Sequence, residues 1–273
     1  MTPAHFIDIA ATAARQAGAR QLANLGKVKE IEYKGEINLV TEVDKACEAL
    51  IIDSMTSHFP DHDILAEEGG GERKDSAYKW IIDPLDGTTN YAHSYPLFCV
   101  SIALEYKGEI IIGVVYDPNR DEMFIAEKGA GATLNGNRIR VSSCDPLDRA
   151  LLATGFAYNI RSAKINNINH FKDFLATAQA VRRDGVAAID LCYVACGRYD
   201  GFWELNLFPW DVAAGFLMIT EAGGKVSMFN EKAFEVYAKE IVASNGRLHR
   251  EMCRILSRPT NTSNLLACRG LGV

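Results

Sequence analysis

The stretch "WIIDPLDGTTNY", residues 80 to 91, ends an apolar run in two carboxylates, Asp83 and Asp86, three positions apart. Pro84 between them stiffens the backbone and removes a donor, and the Leu85 carbonyl lies between the two acids as a further oxygen that could serve as a ligand. Gly87, Thr88 and Thr89 follow at once. Glycine lets the backbone approach a phosphate closely, and the amides of these three residues can point at its oxygens as at a helix start. Two phosphate chemistries use such a set. In one, an aspartate is the nucleophile; in the other, the acids hold metal ions and water attacks. The alternative for this segment taken alone is a tight acidic turn with an Asx cap.

Other acids stand in comparable places. Glu67 and Glu68 end the short run "DILAEE" just before "GGG", Asp211 follows Trp210 at the head of an apolar helix, and Asp44 lies in "VTEVD". A solvated strand end accounts for any one of the first pair. A helix-start acid, favoured by the macrodipole by ~0.3–1 kcal/mol, accounts for Asp44 or Asp211. Such readings must be invoked separately for each segment, whereas a site of hard oxygen ligands for Mg²⁺ gathers all of them.

The elements that must position these acids are legible from periodicity. Phe6, Ile9, Ala10, Ala13, Ala14, Ala17 and Leu22 recur at helical spacing, predicting an amphipathic helix over residues 3–25. "TEVDKACEALIIDSMTSHF" predicts a second helix that starts near Thr41 or Asp44. "DILAEE" and "KWIID" read as buried strands ending in acids, and "LFCVSIALEY", "EIIIGVVYD" and "DEMFIAEKG" as three more. Asn135 and Gly136 signal a hairpin. Beyond about 145 the pattern is mixed: "LLATGF" and "IVASN" as strands, and "INHFKDFLATAQ", "GVAAIDLCYVACG", "WDVAAGFLMITEAGG" and "GRLHREMCRIL" as helices. No repeat or Pro/Gly linker interrupts the chain. The expectation is one domain over 1–273, with a sheet-rich half to about 145, an α/β half over about 146–257 and a frayed tail over 258–273.

Composition narrows the class. At 273 residues, 48% hydrophobic and 23% charged, the chain is an ordinary globular protein, and a net charge of −6 argues against wholesale nucleic-acid or anionic-membrane binding. Seven cysteines in mostly apolar surroundings, with no CxxC pair, read as reduced thiols in a cytosol. No apolar run is long enough for a membrane span, and the start "MTPAHFIDIAATAARQAG" lacks the basic region of a signal peptide.

"WIIDPLDGTTNY" and "WDVAAGFLMITEAGG", preceded in order by "VTEVDKACE" and "AEEGG", closely resemble the signature segments of the inositol monophosphatase family, and "RRDGVAAIDLCYVACGRYDGFWELNLFPWD" is similar to its bacterial members. The resemblance extends over roughly residues 5 to 255. It implies an alternating α/β/α/β/α sandwich, usually a homodimer, that hydrolyses myo-inositol 1-phosphate and related monophosphates. It implies about two to three Mg²⁺ ions per site, held by Glu67, Asp83, the Leu85 carbonyl, Asp86 and Asp211, with Asp83 bridging. Glu67 would also share in catalysis. Thr88 would orient the attacking water and Asp44 would accept the Thr88 hydrogen bond. Asp86, Gly87, Thr88, Thr89 and Asp211 would face the substrate phosphate. Glu204 would read hydroxyls of the alcohol, Gly185 and Ala187 would line its pocket, and Arg182 or Arg183 would contact substrate or a partner. Inhibition by Li⁺ is implied as well. Lys34, with Glu36 close by, is the candidate for the family's lysine-bearing loop, although "EYKGEINL" departs from the pattern in register.

Three rivals remain open. An aspartyl-phosphate enzyme usually wants two Asp at i and i+2 after a strand, whereas here the spacing is i and i+3 with Pro between. Fructose bisphosphate, nucleotide 3′-phosphates and histidinol phosphate are substrates of relatives with the same metal site. A non-catalytic role, as a binding factor in a transcription antitermination complex, is implied by some bacterial relatives.

Overall fold

The computed structural model describes residues 2–27, 31–33, 39–160, 163 and 166–258; Lys34, Glu36, Cys268 and the tail expected to fray from 259 onward lie outside them. In chain order the elements are α1 (Pro3–Asn24), β1 (Ile31–Tyr33), β2 (Leu39–Thr41), α2 (Glu42–His58), β3 (Asp63–Ala66), β4 (Tyr78–Asp86), α3 (Thr88–Ala92), β5 (Cys99–Tyr106), β6 (Glu109–Asp117), β7 (Glu122–Glu127), β8 (Gly131–Leu134) and β9 (Asn137–Arg138). The second half contributes β10 (Leu151–Thr154), α4 (Ile168–Leu175), β11 (Ala180–Arg182), α5 (Ala187–Ala195), β12 (Gly201–Leu205), α6 (Pro209–Glu221), β13 (Lys225–Ser227), β14 (Glu240–Ser244) and α7 (His249–Leu256).

These stack as the alternating α/β/α/β/α sandwich. The outer layer is α1 with α2. Ala10, Ala13, Ala14 and Ala17 are fully buried at helical spacing, and Gly18 lets the helix approach Tyr116 of β6, where a Cβ would stand 2.7 Å from the ring. Beneath lies a seven-stranded sheet in the order β3-β4-β5-β6-β7-β8-β9, antiparallel except for the parallel β3–β4 pair. Alternation along β4 divides its side chains between two cores: Trp80 and Ile82 join the α1/α2 cluster, and Ile81 joins the cluster around α5 and α6. Those two helices form the central layer, apolar all round because a sheet covers each face. The second sheet, β11-β10-β12-β14-β13, carries α4 and α7 on its far side around Phe174, Trp203 and Met252.

The structure adds five short strands to the sequence reading, β1, β2, β11, β12 and β13. In β12, "GFWEL", every residue is buried, so no alternation marks it. The Asn135–Gly136 hairpin has positive φ at both residues, 49° and 78°, as a two-residue primed turn requires. Among the described residues every cysteine is a free thiol, and no helix is long and apolar enough to cross a membrane.

A buried histidine ties the last layers together. His249 is 1% exposed; its Nε2 lies 2.8 Å from the Ser227 hydroxyl and its Nδ1 2.9 Å from that of Ser244. Ser227 gives its own proton to the Met228 carbonyl at 2.6 Å, so a neutral ring protonated at Nε2 satisfies the set. Burial, helped by the Lys225 charge, pushes the ring pKa down to about 4. Between the unfolded value near 6.5 and about 4, the unfolded chain binds a proton that the folded chain refuses. His249 therefore stabilises the fold above that window, and the contribution is lost as pH falls through it, by on the order of 3 kcal/mol. Urea unfolding of wild type and His249→Gln from pH 7 to 4 should show a gap in stability that shrinks toward low pH; a constant gap would contradict it.

Candidate active site

The acids meet where the C-terminal end of β4 faces the starts of several helices. β4 and β5 pair regularly to Asp83 opposite Ser101, and the next pair is Asp86 opposite Cys99. Three steps along β4 thus match two along β5, a β-bulge at Pro84 and Leu85. In a regular strand, residues three apart point to opposite faces. The extra residue restores the parity, so Ile81, Asp83 and Asp86 share the face opposed by Ala103, Ser101 and Cys99. That face looks toward α5 and α6. Gly87, at φ 97°, then turns the chain into α3. A Cβ there would lie 2.9 Å from Val186 Cγ2 and 3.2 Å from the Leu97 carbonyl oxygen, so glycine is required twice, for the turn and for the approach of the two halves. Asn90 in α3 bridges the same seam, donating to the carbonyls of Leu97 and Asp184 at 2.9 Å each.

Helix starts hold three of the carboxylates. Asp44 is the third residue of α2 in a capping box: Thr41 N–H donates to Asp44 Oδ2 at 2.9 Å, and the Thr41 hydroxyl bonds the same oxygen. Its other oxygen accepts the Thr88 hydroxyl at 2.9 Å, and that hydroxyl also lies 3.1 Å from the Leu85 carbonyl. Asp86 Oδ2 accepts Ala188 N–H, in the first turn of α5, at 2.8 Å. Asp211, third in α6, accepts Phe208 N–H at 2.7 Å. The Ser101 hydroxyl donates to the Trp210 carbonyl at 3.2 Å, fastening the start of α6 to β5. Glu67 follows β3 directly, its N–H donating to the Ile82 carbonyl at 3.2 Å.

Burial governs the electrostatics. It raises Asp83 well above the ordinary carboxylate range, with the charges of Glu67, Asp86 and Asp211 adding to the shift. Asp86 is pushed up to about 7 by burial, against the Ala188 N–H that favours its charged form. Asp211 is pushed up to about 8 by burial and by Asp86, with Phe208 N–H and Lys239 opposing. Asp44 rises to about 6, burial outweighing its bonds to Thr41 and Thr88. Buried like charges of this kind favour a divalent cation in their midst. The donor set, all carboxylate and carbonyl oxygen, suits a hard ion. Among the described residues, no three His, Cys, Asp or Glu side chains already stand at the spacing of a closed ligand cage.

A cavity of about 410 Å³ opens beside the acids, and Asp86, Thr89, Gly185, Ala187, Glu204 and Asp211 all line it. Glu204 reaches it from β12, buried, its pKa raised by burial and by Asp211 and Asp86 while Arg183 opposes. Gly155 makes room for it, because a Cβ there would lie 2.2 to 2.5 Å from the Glu204 carboxyl group. The basic pair divides: Arg183 lines the cavity with its guanidinium over Gly185, whereas Arg182 is exposed at the end of β11 and is not among the lining residues. Sequence reasoning missed Phe156 and Tyr158, the latter hydrogen-bonded to Thr89, and a rim of Lys239 and Phe208. Lys239 Nζ stands 4.4 Å over the Phe208 ring, which stacks on Trp210. "LNLFPW" offered a signal, in an exposed aromatic beside a helix start.

The chain belongs to the inositol monophosphatase family, whose sequence profile matches residues 2–260, and it is a phosphatase. The inositol-1-monophosphatase of Synechocystis sp. is 46% identical over 254 residues, 92% of this chain and 88% of its own. The Nus factor SuhB of Escherichia coli is 45% identical over 250 residues, 90% of this chain and 94% of its own. The solved inositol monophosphatase of Anabaena (Nostoc) sp. superposes with a TM-score of 0.85 at 46% identity, covering 92% of this chain and 95% of that one. Since Gly87 sits at φ 97° with no room for a methyl group, Gly87→Ala should destabilise the fold by more than about 1 kcal/mol and abolish hydrolysis of p-nitrophenyl phosphate. Thermal denaturation and initial rates check this; a stable, active variant would contradict it.

Proposed function

We propose that the protein hydrolyses myo-inositol 1-phosphate and related inositol and sugar monophosphates, with Mg²⁺ as cofactor and water as nucleophile. The observation that carries this reading is the bulged end of β4, which turns Asp83 and Asp86 to one face with the Thr88–Asp44 pair next to them. Glu67, Asp83, the Leu85 carbonyl, Asp86 and Asp211 would hold the ions. Once bound, Mg²⁺ neutralises phosphate oxygens and makes a water more acidic.

The chain's own groups do the positioning that phosphoryl transfer needs. Thr88 has one hydroxyl proton, and donating it to Asp44 leaves its oxygen free to accept from the attacking water. The backbone amides of Gly87, Thr88 and Thr89 are the donors for phosphate oxygens. Asp83 and Asp86 are ligands, not nucleophiles: a carboxylate anchored in this way has no oxygen free to attack in line. Glu204, Gly185 and Ala187 receive the alcohol, with Arg183 and Lys239 at the cavity wall in place of Arg182. The relatives that act on fructose bisphosphate, nucleotide 3′-phosphates or histidinol phosphate are distinguished at this alcohol pocket rather than at the acids.

A second reading has its own observation. Arg182 is exposed on β11, the edge strand of the five-stranded sheet, where one side of the strand has no sheet partner among the described residues. With an E. coli relative named as a Nus factor, we read that edge as a surface for a transcription-complex partner, in a protein that forms homodimers and acts in the cytoplasm.

Asp83→Asn should remove nearly all Mg²⁺-dependent turnover with little change in melting temperature; wild-type rates would remove Asp83 from the ligand set. The same variant should still capture transcription proteins if the edge surface works independently of catalysis. Glu204→Ala and Gly155→Ala perturb one carboxylate from two sides. Each should lower kcat/KM for inositol 1-phosphate by about tenfold or more, the worth of a charged hydrogen bond, and spare p-nitrophenyl phosphate. Equal losses on both substrates would take Glu204 out of the specificity role.

A further inference from the structure

One buried acid beside the site has no part in the chemistry above. Glu48 lies on α2 four residues after Asp44, hence on the same helix face about 5–6 Å along. It is only 5% exposed. Its two carboxylate oxygens take separate backbone donors: Oε2 accepts Glu68 N–H at 2.7 Å and Oε1 accepts Gly70 N–H at 2.8 Å. Both amides belong to the loop that leaves β3 through Glu67. The Glu67 N–H is itself bonded to the Ile82 carbonyl of β4. Glu67 is thus pinned by the sheet at its own amide and by α2 at the next residue and the next but two.

The partner glycine answers to the same carboxylate. A Cβ at Gly70 would stand 2.5 Å from Glu48 Oε1 and 2.7 Å from Ile52 Cδ1. Gly70 does not occupy the left-handed region, unlike Gly69 at φ 87° and Gly71 at φ 137°. Its side chain is excluded by Glu48 and Ile52, not by its backbone conformation.

We infer that Glu48 is a positioning residue for the metal site: it fixes the Glu68 and Gly70 amides and through them holds Glu67 toward the ions. One face of α2 then serves both halves of the reaction, Asp44 holding Thr88 and Glu48 holding the loop of Glu67. The inference rests on the reading of Glu67 as a metal ligand. Groups that orient ligands from behind typically change metal affinity or activity by about 10- to 100-fold when removed.

Glu48→Gln keeps the volume but turns a donor toward an N–H, and Gly70→Ala displaces the carboxylate from the other side. Amide hydrogen exchange and Mg²⁺ titration calorimetry, both without substrate, test the pair. Exchange at Glu68 and Gly70 should quicken in both variants, and the Mg²⁺ dissociation constant should rise about tenfold or more. Asp44→Asn should instead lower kcat and leave Mg²⁺ affinity near that of wild type. Quickened exchange with unchanged Mg²⁺ affinity would make Glu48 a loop clasp only and overturn the proposal, as would unchanged exchange. Glu67→Gln separates the two levels. If that variant binds Mg²⁺ as wild type does, the ligand reading of Glu67 falls; if it binds weakly while Glu48→Gln does not, only the role of Glu48 falls.

Discussion

Carboxylates gathered out of water repel one another, and a fold that gathers them must supply something to hold each in place. In this protein the holders are backbone N–H groups at helix starts. Thr41 at α2, Ala188 in α5 and Phe208 at α6 each give one to a different acid. The first turn of any helix leaves such donors without intrahelical partners, and the helix dipole adds a partial positive charge there. Three helices from two layers therefore direct their N-termini at one point. The sandwich is the arrangement that makes the convergence possible, since α2 lies outside the first sheet while α5 and α6 lie between the two.

The donors do not neutralise the cluster. Asp86 and Asp211 still sit near or above neutrality, and Asp83 well above the carboxylate range, because burial outweighs the hydrogen bonds. The scaffold is thus pre-arranged for a group that carries the remaining positive charge. Among the described residues, Arg183 and Lys239 stand at the cavity wall beside Glu204 and Asp211. On the function proposed above, positive charge at the phosphate end would be left to a bound ion, and Arg183 and Lys239 would serve the alcohol end.

Most of the acids were legible because each stands at a boundary that sequence can mark. Asp83 and Asp86 close an apolar run, and Asp44 and Asp211 open amphipathic or apolar helices. Glu204 was reached through the family resemblance alone, since its strand is five residues long, buried throughout and without a period. The pair Arg182 and Arg183 shows a different limit: a one-residue choice of side is set by how β11 ends, which nothing local encodes. Phe156, Tyr158 and Lys239 come from connections whose course depends on the packed whole. Glu48 was within reach, four residues from Asp44 on one helical face, yet a glutamate at such a spacing ordinarily reads as solvated.

The bulge at Pro84 and Leu85 gives the site a reading frame. Identity of the acids is not enough, because a strand assigns its residues to two faces by odd and even count. Regularising the strand while keeping both intervening residues, or removing one of them while keeping the bulge, would send one carboxylate toward the side of the sheet that α1 and α2 cover. Within the segment the number of residues between the acids and the irregularity are coupled, and changing either without the other turns one carboxylate away.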